Sequence, residues 1–166
     1  MLRDSLLLLS IVLVSYTVKS QVKQKNEIQV VNFGQLEPYL HKTNDTVYLV
    51  NFWATWCAPC IKELPAIKEV EEKYKNQKFK VLLVSLDFQK ELKSKLDPFV
   101  KSKNITSKVF LLNDPNQSQW IDKVDANWSG EIPFTLIYRN QSRESYSQPF
   151  TFEELNLIVN QKLNKP

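Results

Sequence analysis

Cys57 and Cys60 are the only cysteines among 166 residues. They stand in the string Trp56-Cys57-Ala58-Pro59-Cys60, between an apolar run and a helical pattern. A sulfur at the first turn of a helix faces unpaired backbone N–H groups and the positive end of the helix dipole. Cys57 is therefore expected to form a stabilised, nucleophilic thiolate. Two intervening residues let Cys60 approach it within one turn, as the more shielded, resolving thiol. Pro59 suits a first helical turn, where its missing N–H costs little. Trp56 could shield one side, and Ala58 and Pro59 complete the surface offered to a substrate. Two other uses of the pair are a structural bridge and half of a metal site. A bridge over so short a loop removes little unfolded-state entropy. One His with two Cys cannot complete a four-ligand zinc site of the common kind, so no metal is expected. With two glycines in the chain, neither a dinucleotide loop nor a P-loop can form.

The elements that must position this pair can be read from periodicity. Val47 to Trp53 is a continuous apolar run and reads as a buried central strand. From Cys57 to about Asn76, Ile61, Leu64, Ile67, Val70 and Tyr74 recur at helical spacing, with Pro65 expected to kink the helix. Strands are expected at Ile28–Val31, Phe79–Leu86, Val109–Leu112, Phe134–Tyr138 and Glu144–Ser147. Helices are expected at Phe33–His41 behind an Asn32 cap, at Lys90–Lys103 despite Pro98, and from Asn116 to Val124. A last helix follows Thr151, whose pairing with Glu154 makes a capping box. The order is β-α-β-α-β-α-β-α-β-β-α, an α/β fold with a mixed sheet and helices on both faces. His41 reads as a surface residue, Trp53 and Trp120 as core, and Trp128 as either.

The first residues differ from the rest. Arg3 precedes an apolar run from Leu6 to Val18, shorter than the ~20 residues of a spanning helix. Residues 1–20 read as a secretory signal peptide cut before Gln21, with an uncleaved anchor as the alternative. Residues 21–26 form a polar leader, and one domain covers 27–166. The net charge of +4 is interspersed with Glu, so no nucleic-acid partner is inferred.

Two segments carry a family resemblance. Val50-Asn51-Phe52-Trp53-Ala54-Thr55-Trp56-Cys57-Ala58-Pro59-Cys60, followed by Lys62-Glu63-Leu64-Pro65, resembles the active-site segment of the thioredoxin superfamily, and within it the TlpA/ResA-like exported thiol-disulfide oxidoreductases. Trp128-Ser129-Gly130-Glu131-Ile132-Pro133-Phe134 resembles the same family's second block. The resemblance implies a thioredoxin fold with an extra N-terminal strand and helix, and a helical insertion between Phe88 and Ser107. It implies that Pro133 is cis and faces the disulfide, leaving the Ile132 backbone to a substrate strand. From the residues alone, Pro133 would be a trans proline opening a strand. Asn51 replaces the buried Asp of thioredoxins proper, and an amide cannot accept a proton from Cys60. Glu63 is the nearest carboxyl in sequence and a candidate relay, but an exposed Glu pairing with a lysine is the ordinary reading, and a water relay is the alternative.

The expected function is reduction of disulfides in envelope proteins by a monomeric oxidoreductase exported to the periplasm or the outer face of a bacterial envelope, recharged by a membrane electron donor, with no cofactor beyond the two cysteines. The rivals are a disulfide oxidase or isomerase using the same cysteines, and a thioredoxin-fold metallochaperone or binding module.

Overall fold

The computed structural model describes residues 27–165. The expected signal peptide and leader lie outside the described residues. A six-stranded mixed sheet organises the chain, in the order β1-β4-β3-β2-β5-β6. Its strands are β1 (Gln29–Val31), β2 (Val47–Trp53), β3 (Phe79–Ser85), β4 (Lys108–Leu112), β5 (Phe134–Arg139) and β6 (Ser142–Tyr146). β1 to β4, β4 to β3 and β3 to β2 are parallel, whereas β2–β5 and β5–β6 are antiparallel.

β2 lies between β3 and β5, which explains why every one of its residues is buried. Alternation divides it between two cores. Val47, Leu49 and Trp53 pack with α2 (Ala58–Lys73), α3 (Asp97–Ser102) and α5 (Phe152–Asn164). Tyr48, Val50 and Phe52 pack with α1 (Phe33–Leu36) and α4 (Gln117–Val124). Trp53, Trp120 and Trp128 are all buried, which places Trp128 in the core.

Three expected elements differ in detail. The first helix ends at Leu36 and gives way to a 3-10 turn over Glu37–Tyr39, with Pro38 in it. The single helix expected over 90–103 is three pieces: a 3-10 turn at Gln89–Glu91, a π turn at Leu92–Leu96, and α3. Pro98 has no N–H to give an α-helical bond, and the preceding turn is the wider π form. The last strand begins at Ser142 rather than Glu144, because the hairpin turns tightly at Asn140, in the left-handed region at φ 52°. The capping boxes of Asn32 with Gln35 and Thr151 with Glu154 are both formed.

Candidate active site

Strand β2 ends at Trp53, and α2 begins five residues later. Cys57 is the cap residue of α2, and Cys60 lies in its first turn. The two are joined in a disulfide. The Cys60 backbone N–H points at Cys57 Sγ at 3.3 Å. That is the place an N-cap side chain takes, with sulfur where a Ser or Asp oxygen would accept. On reduction the same N–H, with the dipole of a 16-residue helix behind it, faces the Cys57 thiolate. Cys57 is 5% exposed and Cys60 fully buried, so Cys57 is the more accessible of the two. Ala58 and Pro59 are exposed beside it, and Trp56 stands 60% exposed. Trp56 is thus largely open to solvent at the edge of the site.

The second loop meets the first through a cis Ile132–Pro133 bond. The Ile132 carbonyl oxygen lies 3.7 Å from Cys57 Sγ, while Pro133 itself is buried. The loop is rooted by Trp128, whose indole N–H donates to the Glu131 carbonyl at 2.8 Å and whose ring stacks on Phe134. Gly130 makes the bend at φ +92°, and a Cβ there would come within 2.9 Å of Ile121 Cδ1. Gly130 is thus required twice, by backbone angle and by space.

Glu63 is not the exposed helix-surface residue of the ordinary reading. It is buried, 1% exposed, one turn beyond Cys60 on the same helix. Asn51 Nδ2 donates to its Oε1 at 2.8 Å, and the Phe150 backbone N–H to its Oε2 at 3.0 Å. Burial pushes its pKa from the usual 4.5 to about 7, against the opposing pull of those two donors. Asn51 Nδ2 also donates to Thr135 Oγ1 at 3.0 Å. Asn51 Oδ1 is buried with no hydrogen-bond partner, an unfilled acceptor beside this carboxyl. A cavity of about 360 Å³ lined by Ala66, Pro149 and Phe150 among others reaches Glu63 from the α2–α5 side.

Asp87 belongs to the site and is absent from the sequence-derived set. It is 3% exposed and bonded to the loop before Cys57. The Thr55 backbone N–H donates to both of its oxygens, at 3.2 and 3.1 Å, and Thr55 Oγ1 donates at 2.5 Å. Ser85 Oγ donates at 2.8 Å and accepts from the Asp87 backbone N–H at 3.0 Å. A signal for this clamp was available in principle. Parallel neighbouring strands end together, and Trp53 pairs with Ser85, so Thr55 and Asp87 each lie two residues past the same rung.

The AhpC/TSA family model matches residues 14–142. The chain belongs to the AhpC/TSA family. Among its relatives, the thiol-disulfide oxidoreductase ResA of Oceanobacillus iheyensis is 29% identical over 51% of this chain and 52% of that protein. The ResA of Geobacillus kaustophilus is 26% identical over 82% of this chain and 79% of its own length. The chain thus spans about half the length of the first of these relatives. A secreted thiol-disulfide isomerase from Corynebacterium glutamicum has the same fold, with a TM-score of 0.61 at 17% identity, over 74% of this chain and 73% of that one. The fold is that of thioredoxin-family proteins.

Proposed function

We propose that the protein is an exported thiol-disulfide oxidoreductase that reduces disulfides in envelope proteins. The observation that carries this reading is Cys57 at the cap of α2, disulfide-bonded to Cys60 and in contact with the Ile132–Pro133 loop. In the reduced protein, Cys57 thiolate attacks one sulfur of a substrate disulfide. A Cys57–substrate disulfide forms, and the other substrate sulfur leaves as thiolate and takes a proton. Cys60 then loses its proton and attacks Cys57 Sγ, which expels the second substrate thiolate and closes the Cys57–Cys60 bond. The substrate gains two electrons and the protein loses them; Cys57 reacts as the thiolate, so the one proton released in the cycle is that of Cys60, and both departing substrate thiolates take their protons from solvent. Glu63, one turn from Cys60, accepts the Cys60 proton when ionised and passes it toward the cavity beside Phe150.

Trp56, Ala58 and Pro59 form the exposed rim on which the substrate chain rests, and the Ile132–Pro133 loop forms its opposite wall. The cycle runs on the cysteine pair without a metal or organic cofactor. A dithiol donor at the membrane restores the reduced form, and the protein acts as a monomer. Export is supported by the apolar Leu6–Val18 run and by a secreted protein of the same fold. N-terminal sequencing of the protein from an envelope fraction is expected to read from Gln21.

The direction of transfer is tested by redox titration of the pair against glutathione or thioredoxin standards. A potential near about −270 mV fits a reductase, and one near about −120 mV overturns it in favour of an oxidase. Insulin reduction is expected to vanish in Cys57→Ser. Equal activity in that variant removes the catalytic assignment altogether.

A further inference from the structure

Between α2 and the inserted helix α3, beginning one turn along α2 from Cys57, lies a groove of about 190 Å³. Its apolar wall includes Ile61 and Leu64 from α2 and Phe99 and Ile105 from the insertion. The groove starts at Ile61, the residue after Cys60. Its inserted side is built by the way α3 stops. Asn104 turns into the left-handed region at φ 49°, and the Ile105 N–H reaches back to the Val100 carbonyl at 3.1 Å. That reversal puts Ile105 against the groove. Phe99 is fixed from beneath by Trp53, with ring centroids 5.6 Å apart.

The charged side chains lining the groove are Lys68 and Lys103, and among the described residues no carboxylate lines it. Lys68 Nζ donates to the Lys103 carbonyl at 3.4 Å across the rim, and Lys103 Nζ lies over the Phe99 ring at 5.8 Å. An apolar trough with a cationic rim complements an apolar side chain followed by an anion. The volume suits one side chain of leucine or phenylalanine size. Position along the helix sets the spacing. Leu64 is seven residues beyond Cys57, about 10 Å of helical rise, and Lys68 eleven, about 16 Å. An extended chain covers about 3.3 Å per residue. A substrate tethered to Cys57 would therefore place its third residue over the apolar wall and its fifth near Lys68.

We propose that this groove is a specificity subsite for disulfide-bearing protein segments with an apolar residue about three positions from the cysteine and a carboxylate about two positions beyond it. The inference rests on the oxidoreductase reading above and names the substrate class of that site.

The test uses reduced full-length protein carrying Cys60→Ser, which stalls at the mixed disulfide. Cys57 thiolate attacks a disulfide-linked peptide dimer, forms the Cys57–peptide disulfide and releases one peptide thiolate, so the rate is read by intact mass. Peptides carry Leu and Glu at the third and fifth positions, on either side of cysteine, or Ser in place of Leu, or Lys in place of Glu. The Leu-Glu peptide is expected to react about tenfold faster than either substituted peptide, in at least one chain direction. The preference for Glu over Lys is expected to shrink in 0.5 M salt, roughly where screening lengths fall below 5 Å, and to invert in Lys68→Glu/Lys103→Glu. Hydroxyethyl disulfide, small and neutral, separates the redox chemistry from the subsite. If it reacts while all peptides react alike, or if the charge inversion leaves the preference unchanged, the subsite is overturned. If it fails to react at all, the oxidoreductase reading falls and takes the subsite with it.

Discussion

Glu63 and Asp87 are both buried acids near the redox loop, and they are held in different ways. Glu63 receives one hydrogen bond on each oxygen, from Asn51 on β2 and from the Phe150 backbone. Asp87 receives the Thr55 N–H on both oxygens, the Thr55 hydroxyl, and the Ser85 hydroxyl. For Glu63, two donors do not offset the loss of water, so the proton stays bound to about pH 7. Such a group can exchange a proton near neutrality. For Asp87 most of the donor contacts come from Thr55 in the redox loop, two residues before Cys57, and one comes from Ser85 at the end of β3. What distinguishes the two acids is how many donors meet each and what those donors are attached to.

The largest effect that would sharpen this contrast is expected at Asp87→Ala. The Thr55 amide, the Thr55 hydroxyl and the Ser85 hydroxyl all lose their acceptor, at a cost of about 3 kcal/mol. Denaturant unfolding of the oxidised protein measures it, and a loss below about 1 kcal/mol breaks the view of Asp87 as a clamp.

Glu63→Gln tests the other side. The folded-state pKa is raised, so the folded protein holds a proton that the unfolded chain releases between pH 4.5 and about 7. Stability is full below the lower value, falls as pH rises through the window, and is level above it. The fall is on the order of 3 kcal/mol. Glu63→Gln is expected to abolish that slope, seen as urea midpoints that no longer decline from pH 4.5 to 7. Closure of the Cys57–Cys60 bond, followed by stopped flow on a preformed mixed disulfide, should rise through pH ~7 in the parent. In the variant it should be flat in that window and about a hundredfold slower at pH ~8. A persisting inflection would assign the proton elsewhere.

Two hydroxyl deletions give smaller effects that should separate cleanly. Thr55→Val removes one donor from Asp87 and keeps the backbone N–H bonds. It is expected to cost about 1 kcal/mol and to leave the pH slope intact. Thr135→Val removes the second acceptor of Asn51 Nδ2. Its cost is expected to be about 0.5 kcal/mol, and because Asn51 is then held less firmly, the midpoint of the pH slope should move. A shift in Thr55→Val and none in Thr135→Val would reverse the roles of the two networks.

Strand order aside, much of the fold was legible because its signals are local. The buried run Val47–Trp53, the helical stripe from Ile61 to Tyr74 and the Thr151–Glu154 box each announce themselves within a few residues. The cysteine pair and Pro133 were legible as motifs. Glu63 was misplaced because its helical neighbours suggest a flank, while its burial depends on Phe150, 87 residues away. Asp87 was missed for the same reason, since its partner Thr55 is 32 residues off and neither residue is unusual alone. Long-range polar pairing leaves no periodicity behind it. The broken helix at 89–102 shows a local limit as well: Pro98 warned of an interruption without saying which kind of turn would precede it.

The Phe150–Glu63 bond has a use of its own. Phe150 immediately precedes Thr151, the cap of α5, and its amide hydrogen points at the titrating carboxyl. An amide in that position is a native spectroscopic reporter. Its nitrogen-15 and proton resonances will follow the ionisation of Glu63 in the unmodified protein, in both oxidised and reduced forms. One backbone signal thereby records how the state of two sulfurs alters the proton affinity of a group neither sulfur is bonded to.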